Sequence, residues 1–405
     1  MNTQRHDARY QSRGVSAGKE EVHAAIARHD AGLFPGAFCK IVPDDLTGDA
    51  DTCLIMHADG AGTKASLAYL ASREGFGTPT LAQVWAGIAQ DSLVMNLDDI
   101  GCVGSLGPFL VSNTIGRNAK LIPGEVIAAI VNGYQAVCDQ LSAFNIPCRM
   151  TGGETADVGD LVRTIIVDST VVARLRRDRV IDAGRMAPGD VIVGFSSTGQ
   201  AAWETRPNSG MGSNGLTSAR HDLLGGGYRE KYPETYAPQV KPELVYCGPY
   251  ALGDQLPGDT TTVGQALLSP TRTYLPLIKR LLETVPRTDL HGLIHCSGGG
   301  QSKIVKFGGL GRRNGNRYVK DNCFPVPPLF AAIQKATGMG WAEMYSVYNM
   351  GHRLEVVVPP HGVDRCLAAA RDCTIEAQVV GRVESRDEPG NEVVVKSPYG
   401  EFRYR

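Results

Sequence analysis

HADGAGTK, residues His57 to Lys64, follows the short apolar run Cys53-Leu54-Ile55-Met56 and sets the reading of the chain. An acid and a lysine bracket two glycines just past a strand-like segment. Gly60 and Gly62 permit positive φ and close backbone approach. Successive N–H groups in such a turn form an anion-binding concavity. Two readings compete: a plain turn with exposed charges, or a loop that holds phosphate. In the second, Asp59 meets a magnesium ion and Lys64 meets the phosphate charge.

Similar clusters recur downstream. Asn96-Leu97-Asp98-Asp99 ends a helix predicted from Val84 to Leu97. Paired carboxylates at a helix C-terminus oppose the helix dipole. A cation relieves them, and magnesium prefers oxygen ligands shared with phosphates. Thr151-Gly152-Gly153-Glu154-Thr155-Ala156-Asp157 again sets glycines before an acid, as a Gly-Gly turn. The second half holds SGMGSNGLTSARH (Ser209 to His221) and HGLIHCSGGGQSK (His291 to Lys303). Gly298 to Gly300 suit a backbone-lined anion site, or a flexible glycine loop. His291 and His295 would share a face if helical, as zinc ligands do, but no carboxylate stands at a characteristic spacing. Cys39 is a conceivable nucleophile, although a buried structural thiol is the commoner case. No GxGxxG follows a predicted strand, no GxxxxGK[ST] occurs, and the GxSxG spacing at Gly14 to Gly18 follows no strand-like segment, so the hydrolase elbow is lacking.

Bulk properties narrow the class. A chain of 405 residues is long for one core and suggests two domains. A net charge of −1 gives no basic field for nucleic acid. No apolar run reaches the ~18 residues of a membrane helix, and the polar N-terminus lacks a signal-peptide core. Ten scattered cysteines without zinc spacing indicate reduced thiols and a cytoplasmic setting.

Strand-like and helix-like segments alternate. Gly124 to Phe144 places Val126, Ile127, Ile130, Val131, Tyr134, Val137 and Leu141 on one helical face. Arg163 to Ala173 and Val191 to Phe195 read as strands on either side of a charged stretch near residues 175–189. That stretch divides domains 1–178 and 179–405. Pro270 to Val285 reads as a helix, Arg353–Val358 and Glu376–Val383 as strands, and Val363–Arg371 as the helix between them. The mixture predicts α+β domains rather than a doubly wound sheet.

Taken in order, the motifs resemble the aminoimidazole ribonucleotide synthetase (phosphoribosylformylglycinamidine cyclo-ligase) family. Asp59 to Lys64 matches its DGxGTK, Asp99 its ND aspartate, and Gly152 to Ala156 its GGETA. Ser213-Asn214-Gly215 matches SNG, Ser269 to Arg272 matches xPTR, His295 to Gly300 matches HxTGGG, and Tyr348 to Gly351 matches the Phe/Tyr-Asn-Met-Gly motif. The resemblance implies two α+β domains, with N-terminal strands pairing in a homodimer to form a β-barrel. It implies ATP-dependent closure of the imidazole ring of formylglycinamidine ribonucleotide in purine biosynthesis, with ATP, magnesium and possible potassium. It assigns Lys64 and His295 to catalysis, and Gly60, Gly62, Thr63, Lys64, Gly152 and Gly153 to ATP phosphates. Ser213, Asn214, Gly298 and Gly299 fall to the second substrate, and Asp59, Asp99 and Glu154 to the metal. No membrane or nucleic-acid partner is implied.

Departures are equally specific. His57 and Ala58 replace Gly and Thr of the family's GTDG. Asp157 to Asp160 replaces EMPG. Extra sequence, AAWETRPNSGMG, precedes SNG, and Ala31 to Gly36 is a reduced N-terminal glycine loop. A sibling ATP-dependent phosphoryl transferase, such as a selenophosphate synthetase-like or maturation-factor-like enzyme, and a non-catalytic nucleotide-binding paralogue are the alternatives.

Overall fold

The computed structural model describes residues 8–16, 20–26, 28–75, 80–309 and 313–405. The first elements among the described residues are two short helices, α1 (Ala8–Gln11) and α2 (Glu20–Ile26). A five-stranded sheet follows, built from β1 (Ile41–Pro43), β2 (Thr52–Gly60), β3 (Phe109–Arg117), β4 (Cys148–Asp157) and β5 (Ile165–Arg176), in the order β1-β2-β5-β3-β4. Only β3 and β4 are parallel. Helices α3 (Lys64–Arg73), α4 (Leu81–Cys102) and α5 (Gly124–Ala143) complete this half.

The strands alternate because one sheet face is covered and the other is open. In β5, Ile165, Val167, Ser169, Val171 and Ala173 are buried, whereas Ile166 is 41% exposed. Met56 on β2 and Leu110 on β3 are 68% and 46% exposed. α4 lies against β2 and β5 and packs on α5. The two helices cross so closely that a Cβ on Gly133 would stand 2.6 Å from Ala86 Cα. A Thr80–Gln83 capping box starts α4. The sequence placed that helix at Val84–Leu97, so propensity caught its centre and missed both ends. On α5, Val131 departs from the predicted face and is 45% exposed.

The second sheet joins β6 (Val191–Ser196), β9 (Gly292–His295), β10 (Asn316–Lys320), β11 (His352–Val358), β12 (Ala377–Ser385), β13 (Glu392–Ser397) and β14 (Gly400–Tyr404). Its order is β14-β13-β10-β12-β6-β11-β9, and β7 (Thr198–Gly199) with β8 (Asn208–Ser209) forms a separate ribbon. The helices of this half are α6 (Leu216–Leu223), α7 (Gly227–Lys231), α8 (Val263–Leu267), α9 (Leu275–Thr284), α10 (Pro328–Thr337), α11 (Trp341–Val347) and α12 (Val363–Asp372). Each half is α+β, as expected. The predicted helix Pro270–Val285 begins only at Leu275, because bonds from Thr271, Thr273 and Tyr274 to acids of α4 hold the preceding residues out of the helix.

The buried apolar residues form one continuous core across both halves. The chain's first residues also cross over. Arg13 is buried against α6, donating to Asp222 Oδ1 at 2.6 Å and Ser218 Oγ at 2.9 Å. Arg9 reaches the same Asp222 oxygen at 2.8 Å. All ten cysteines are free thiols, and Cys138 and Cys148 touch at 3.1 Å between sulfurs. No helix among the described residues is long and apolar enough to cross a membrane.

Candidate active site at the domain seam

α4 carries three acids into the contact between the halves. Asp91 and Asp98 are seven residues apart, two helical turns, and so share a face. Asp91 Oδ1 accepts from Lys64 Nζ at 2.9 Å, Thr271 N at 2.8 Å and Thr271 Oγ1 at 2.5 Å. Asp98 accepts from Thr273 Oγ1 at 2.7 Å and Tyr274 N at 2.9 Å. The Ser269–Tyr274 segment is thus pinned to α4 at two points, and Lys64 Nζ also reaches the Ser269 carbonyl. Burial pushes Asp98 up to about 6, against the opposing pull of His295, Thr273, Tyr274 and Arg353. Burial also lowers the Lys64 pKa; Asp91 opposes this, while the charges of Arg353 and Arg206 add to it. Lys64 is fully buried and engaged, not a free cation for an incoming phosphate.

The third acid joins two histidines. Asp99 Oδ1 lies 2.7 Å from His295 Nδ1, and Asp99 Oδ2 lies 3.4 Å from His57 Nε2. His57 Nδ1 in turn meets Asn96 Oδ1 at 2.8 Å. Burial alone would raise the Asp99 pKa, but the hydrogen bond and charge of His295, then His57 and Lys303, bring it below its usual value. An ionised carboxylate only accepts, so His295 Nδ1 donates to Asp99. His295 Nε2 is buried and has no partner. An imidazole held by a carboxylate with its second nitrogen free is the arrangement of a general base.

Backbone donors gather beside these groups. α3 and α6 belong to different halves, yet Thr63 Oγ1 and Thr217 Oγ1 at their first turns are 2.8 Å apart. Gly215 caps α6 with φ of +78°. Among the described residues, the N–H groups of Gly62, Thr63, Gly212, Ser213, Asn214 and Gly215 have no acceptor. Two helix N-termini with unused amides make a positive pole suited to phosphate. The triple-glycine loop closes the group: a Cβ on Gly298 would sit 3.6 Å from Asn214 Nδ2. Gly299 follows with φ of +97° and starts the turn at Gly300–Lys306.

Gly60, Gly62, Thr63, Lys64, Asp99, Ser213, Asn214, His295, Gly298 and Gly299 therefore come from separate motifs to one seam. Gly152, Gly153 and Glu154 do not. They form part of exposed edge strand β4, not a turn. Gly153 is required there by crowding, since a Cβ would lie 1.6 Å from Asn113 Oδ1. The expected metal set of Asp59, Asp99 and Glu154 does not assemble. β5 and β3 stand between β2 and β4, separating Asp59 from Glu154 by three strand spacings, roughly 14 Å. Both Asp99 oxygens face histidines. Among the described residues no three His, Cys, Asp or Glu side chains could enclose an ion. His291 precedes β9 and His295 ends it, so the two do not share a helix, and His291 pairs with Asp190 at 2.9 Å. Burial, and then the charge of Asp99, raise the Cys39 thiol above its usual range, which weighs against a nucleophile.

Sequence reading missed Asp91 and Arg353, marked Asp98 only for a cation, and noted His57 only as a departure from the family motif. The available signal was charge inside otherwise apolar elements. It also missed Asp168, half-buried beside Asp59 and raised by burial and by that neighbour's charge.

The family model for the AIR synthase related protein N-terminal domain matches residues 31–175, and that for the C-terminal domain matches residues 187–394. The phosphoribosylformylglycinamidine cyclo-ligase of Methanothermobacter thermautotrophicus is 28% identical over 352 residues, covering 87% of this chain and 85% of that protein. The protein of the same name from Symbiobacterium thermophilum is 28% identical over 364 residues, covering 89% and 88%. Among solved structures, a HypE–HypF complex matches with TM-score 0.54 at 14% identity, covering 95% of this chain and 97% of that one. Thiamine-monophosphate kinase from Stenotrophomonas maltophilia K279a matches with TM-score 0.50 at 16% identity, covering 93% and 96%. These two likenesses establish the fold.

Proposed function

Because the chain belongs to the AIR synthase related family through both of its halves, we propose that it is an ATP-dependent cyclo-ligase acting on formylglycinamidine ribonucleotide. The observation that carries this reading is the meeting of two helix N-termini at Thr63 and Thr217, with unused amides on both sides. Phosphoryl transfer needs positioning and charge stabilisation more than covalent help from protein groups.

On this reading the substrate's formamide oxygen attacks the γ-phosphate and ADP departs. A substrate nitrogen then attacks the activated carbon, forming the C–N bond of the imidazole ring, and phosphate leaves. His295 Nε2 takes the proton that the attacking nitrogen loses, and Asp99 holds the ring and stabilises the resulting charge. Gly60, Gly62 and Thr63 face ATP phosphates, while Ser213, Asn214, Gly298 and Gly299 face the second substrate. Lys64 acts at one remove by fixing its loop to Asp91. Magnesium and potassium accompany ATP in this reading, and no residue of this chain is assigned to either ion.

The reading includes a homodimer in a cytoplasmic setting. The open face of the first sheet, with Met56, Leu110 and Ile166 uncovered, supports pairing through that face. Light scattering should give twice the chain mass, and a monomer at micromolar concentration would remove this part.

The test mixes the purified chain with ATP, magnesium, potassium and formylglycinamidine ribonucleotide. ADP and the aromatic amine of the product are then followed together. Matched appearance supports the cyclo-ligase. ADP without amine assigns the scaffold to a sibling phosphoryl transferase. Neither product, with ATP still bound, leaves a non-catalytic nucleotide binder.

A further inference from the structure

We propose that Arg353 and Ser213, with the amides of Gly212 to Gly215, form a buried oxyanion site for a phosphate monoester. Its ligand would be the phosphate of the second substrate, so the ligand's identity rests on the reading above, while the site rests on the side chains.

Arg353 interrupts the apolar strand β11 and is 2% exposed. Its Nη2 donates to the Arg272 carbonyl at 2.9 Å. Its Nε and Nη1 have no acceptor, no ion pair of Arg353 is found among the described residues, and its guanidinium carbon lies 6.0 Å from the Tyr274 ring centroid. A buried guanidinium so poorly matched is strongly unfavourable unless an anion meets it. The guanidinium lies against the loop that carries the unused amides: a Cβ on Gly212 would be 2.6 Å from Nη1. Ser213 Oγ is buried and also without a partner. Arg206, on the same loop, is half-buried and has no acceptor.

Nearby acids are occupied. Asp98 holds Thr273 and Tyr274, and Glu204 accepts from Arg272 Nε at 2.9 Å. Asp91 Oδ2 lacks a donor, but that carboxylate is already matched by Lys64. Two cations, Arg206 and Arg353, remain in surplus. A planar guanidinium fork, a hydroxyl and a run of amides are the donor set that recognises a phosphate oxyanion. The place also fits the second substrate. Arg353 is on the β11 end adjoining β9, and its carbonyl accepts from Cys296 N, next to His295.

The test is thermal unfolding of the full chain in chloride, inorganic phosphate, ribose 5-phosphate or ADP at matched ionic strength. It compares wild type with Arg353→Met, Arg353→Lys and Ser213→Ala. Phosphate and ribose 5-phosphate should raise the wild-type Tm saturably. Arg353→Met should melt above wild type in chloride, having lost an unpaired buried charge, and should not respond to either phosphate. Arg353→Lys keeps the charge without the fork and should need about tenfold more phosphate for the same shift. Ser213→Ala should need several-fold more. An Arg353→Met protein that melts lower in chloride, or that responds to phosphate as wild type does, would make Arg353 a structural strut and overturn the site. A response to ADP lost in Arg353→Met while that to ribose 5-phosphate persists would overturn the assignment to the second substrate. An absent ADP response in wild type counts against ATP use and leaves the phosphate comparison intact.

Discussion

Asp59-Gly60-Ala61-Gly62 and Gly152-Gly153-Glu154 carry the same ingredients, yet the two regions differ physically. At the first, strand β2 runs out, Gly62 and Thr63 keep free amides, and a helix from the other half faces them. At the second, glycines continue an edge strand paired to β3, and the small residue is needed because Asn113 fills the space. Glycine next to an acid therefore marks either bared backbone or crowding, and the neighbouring strand decides which. Around α4 the seam is closed by the buried, matched charges of Lys64 with Asp91 and of His295 with Asp99, whereas the β4 edge is solvated.

The largest effect should separate the two regions by stability. Asp91→Asn disturbs the partner of a buried ammonium and should cost about 3–5 kcal/mol in urea unfolding. Asp157→Asn loosens an edge pair with Arg117 whose acid side chain is 61% exposed, and should fall within about 0.5 kcal/mol. Equal losses would erase the contrast between seam and edge.

Turnover should divide in the same way. His295→Ala should lower the rate by about 10²–10⁴-fold, the range of a general base. Glu154→Gln should stay within about twofold, as befits a surface change far from the chemistry. A large loss from Glu154→Gln in steady-state assays would bring the β4 edge back into the site.

The seam should also show in pH dependence. Asp98 titrates at about 6 in the folded chain, above an unfolded value of ~3.9. An acid raised by folding binds its proton more tightly when folded. Its contribution to stability is therefore full below about pH 4 and lost as pH rises through 6, on the order of 3 kcal/mol. Asp98→Asn should flatten that window in denaturant titrations. Asp99 moves the other way: its contribution is present above the unfolded carboxylate value and lost as pH falls through its lowered folded pKa.

The smallest contrast lies between single glycines. Gly153→Ala forces Asn113 to move and should cost roughly 1–3 kcal/mol by overpacking. Gly298→Ala meets only ordinary contact and should change stability by less than about 0.5 kcal/mol. Comparable melting curves for the two variants would mean that the β4 edge yields more readily than its spacing suggests.

The α+β character was legible because hydrophobic periodicity is local. Val126, Ile130, Tyr134, Val137 and Leu141 announce their helix without help from the rest of the chain. Elements governed by distant partners were not legible. Residues 270–274 would join α9 by pattern alone, and only bonds to Asp91, 180 residues before Thr271, and to Asp98, 175 residues before Thr273, hold them out of the helix. The motif residues around Gly62, Ser213 and His295 were found as separate signals, but their meeting was not visible in the spacing. Lys64 and Asp99 were marked by their motifs, yet their charges are satisfied by Asp91 and by histidines, which only tertiary contact reveals. Glu154 was drawn in by its glycines, and the register of β4 places it elsewhere.

The two halves match separate family models, which invites treating them as exchangeable modules. The pins from α4 argue otherwise. Asp91, Asp98 and Asp99 lie in one matched segment, while Thr271, Thr273 and His295 lie in the other. A chimaera joined between residues 175 and 187 would inherit locks from one parent and keys from another. Successful grafts between relatives should therefore carry α4, the Ser269–Tyr274 segment and the His295 loop as a set, although they are far apart in the gene.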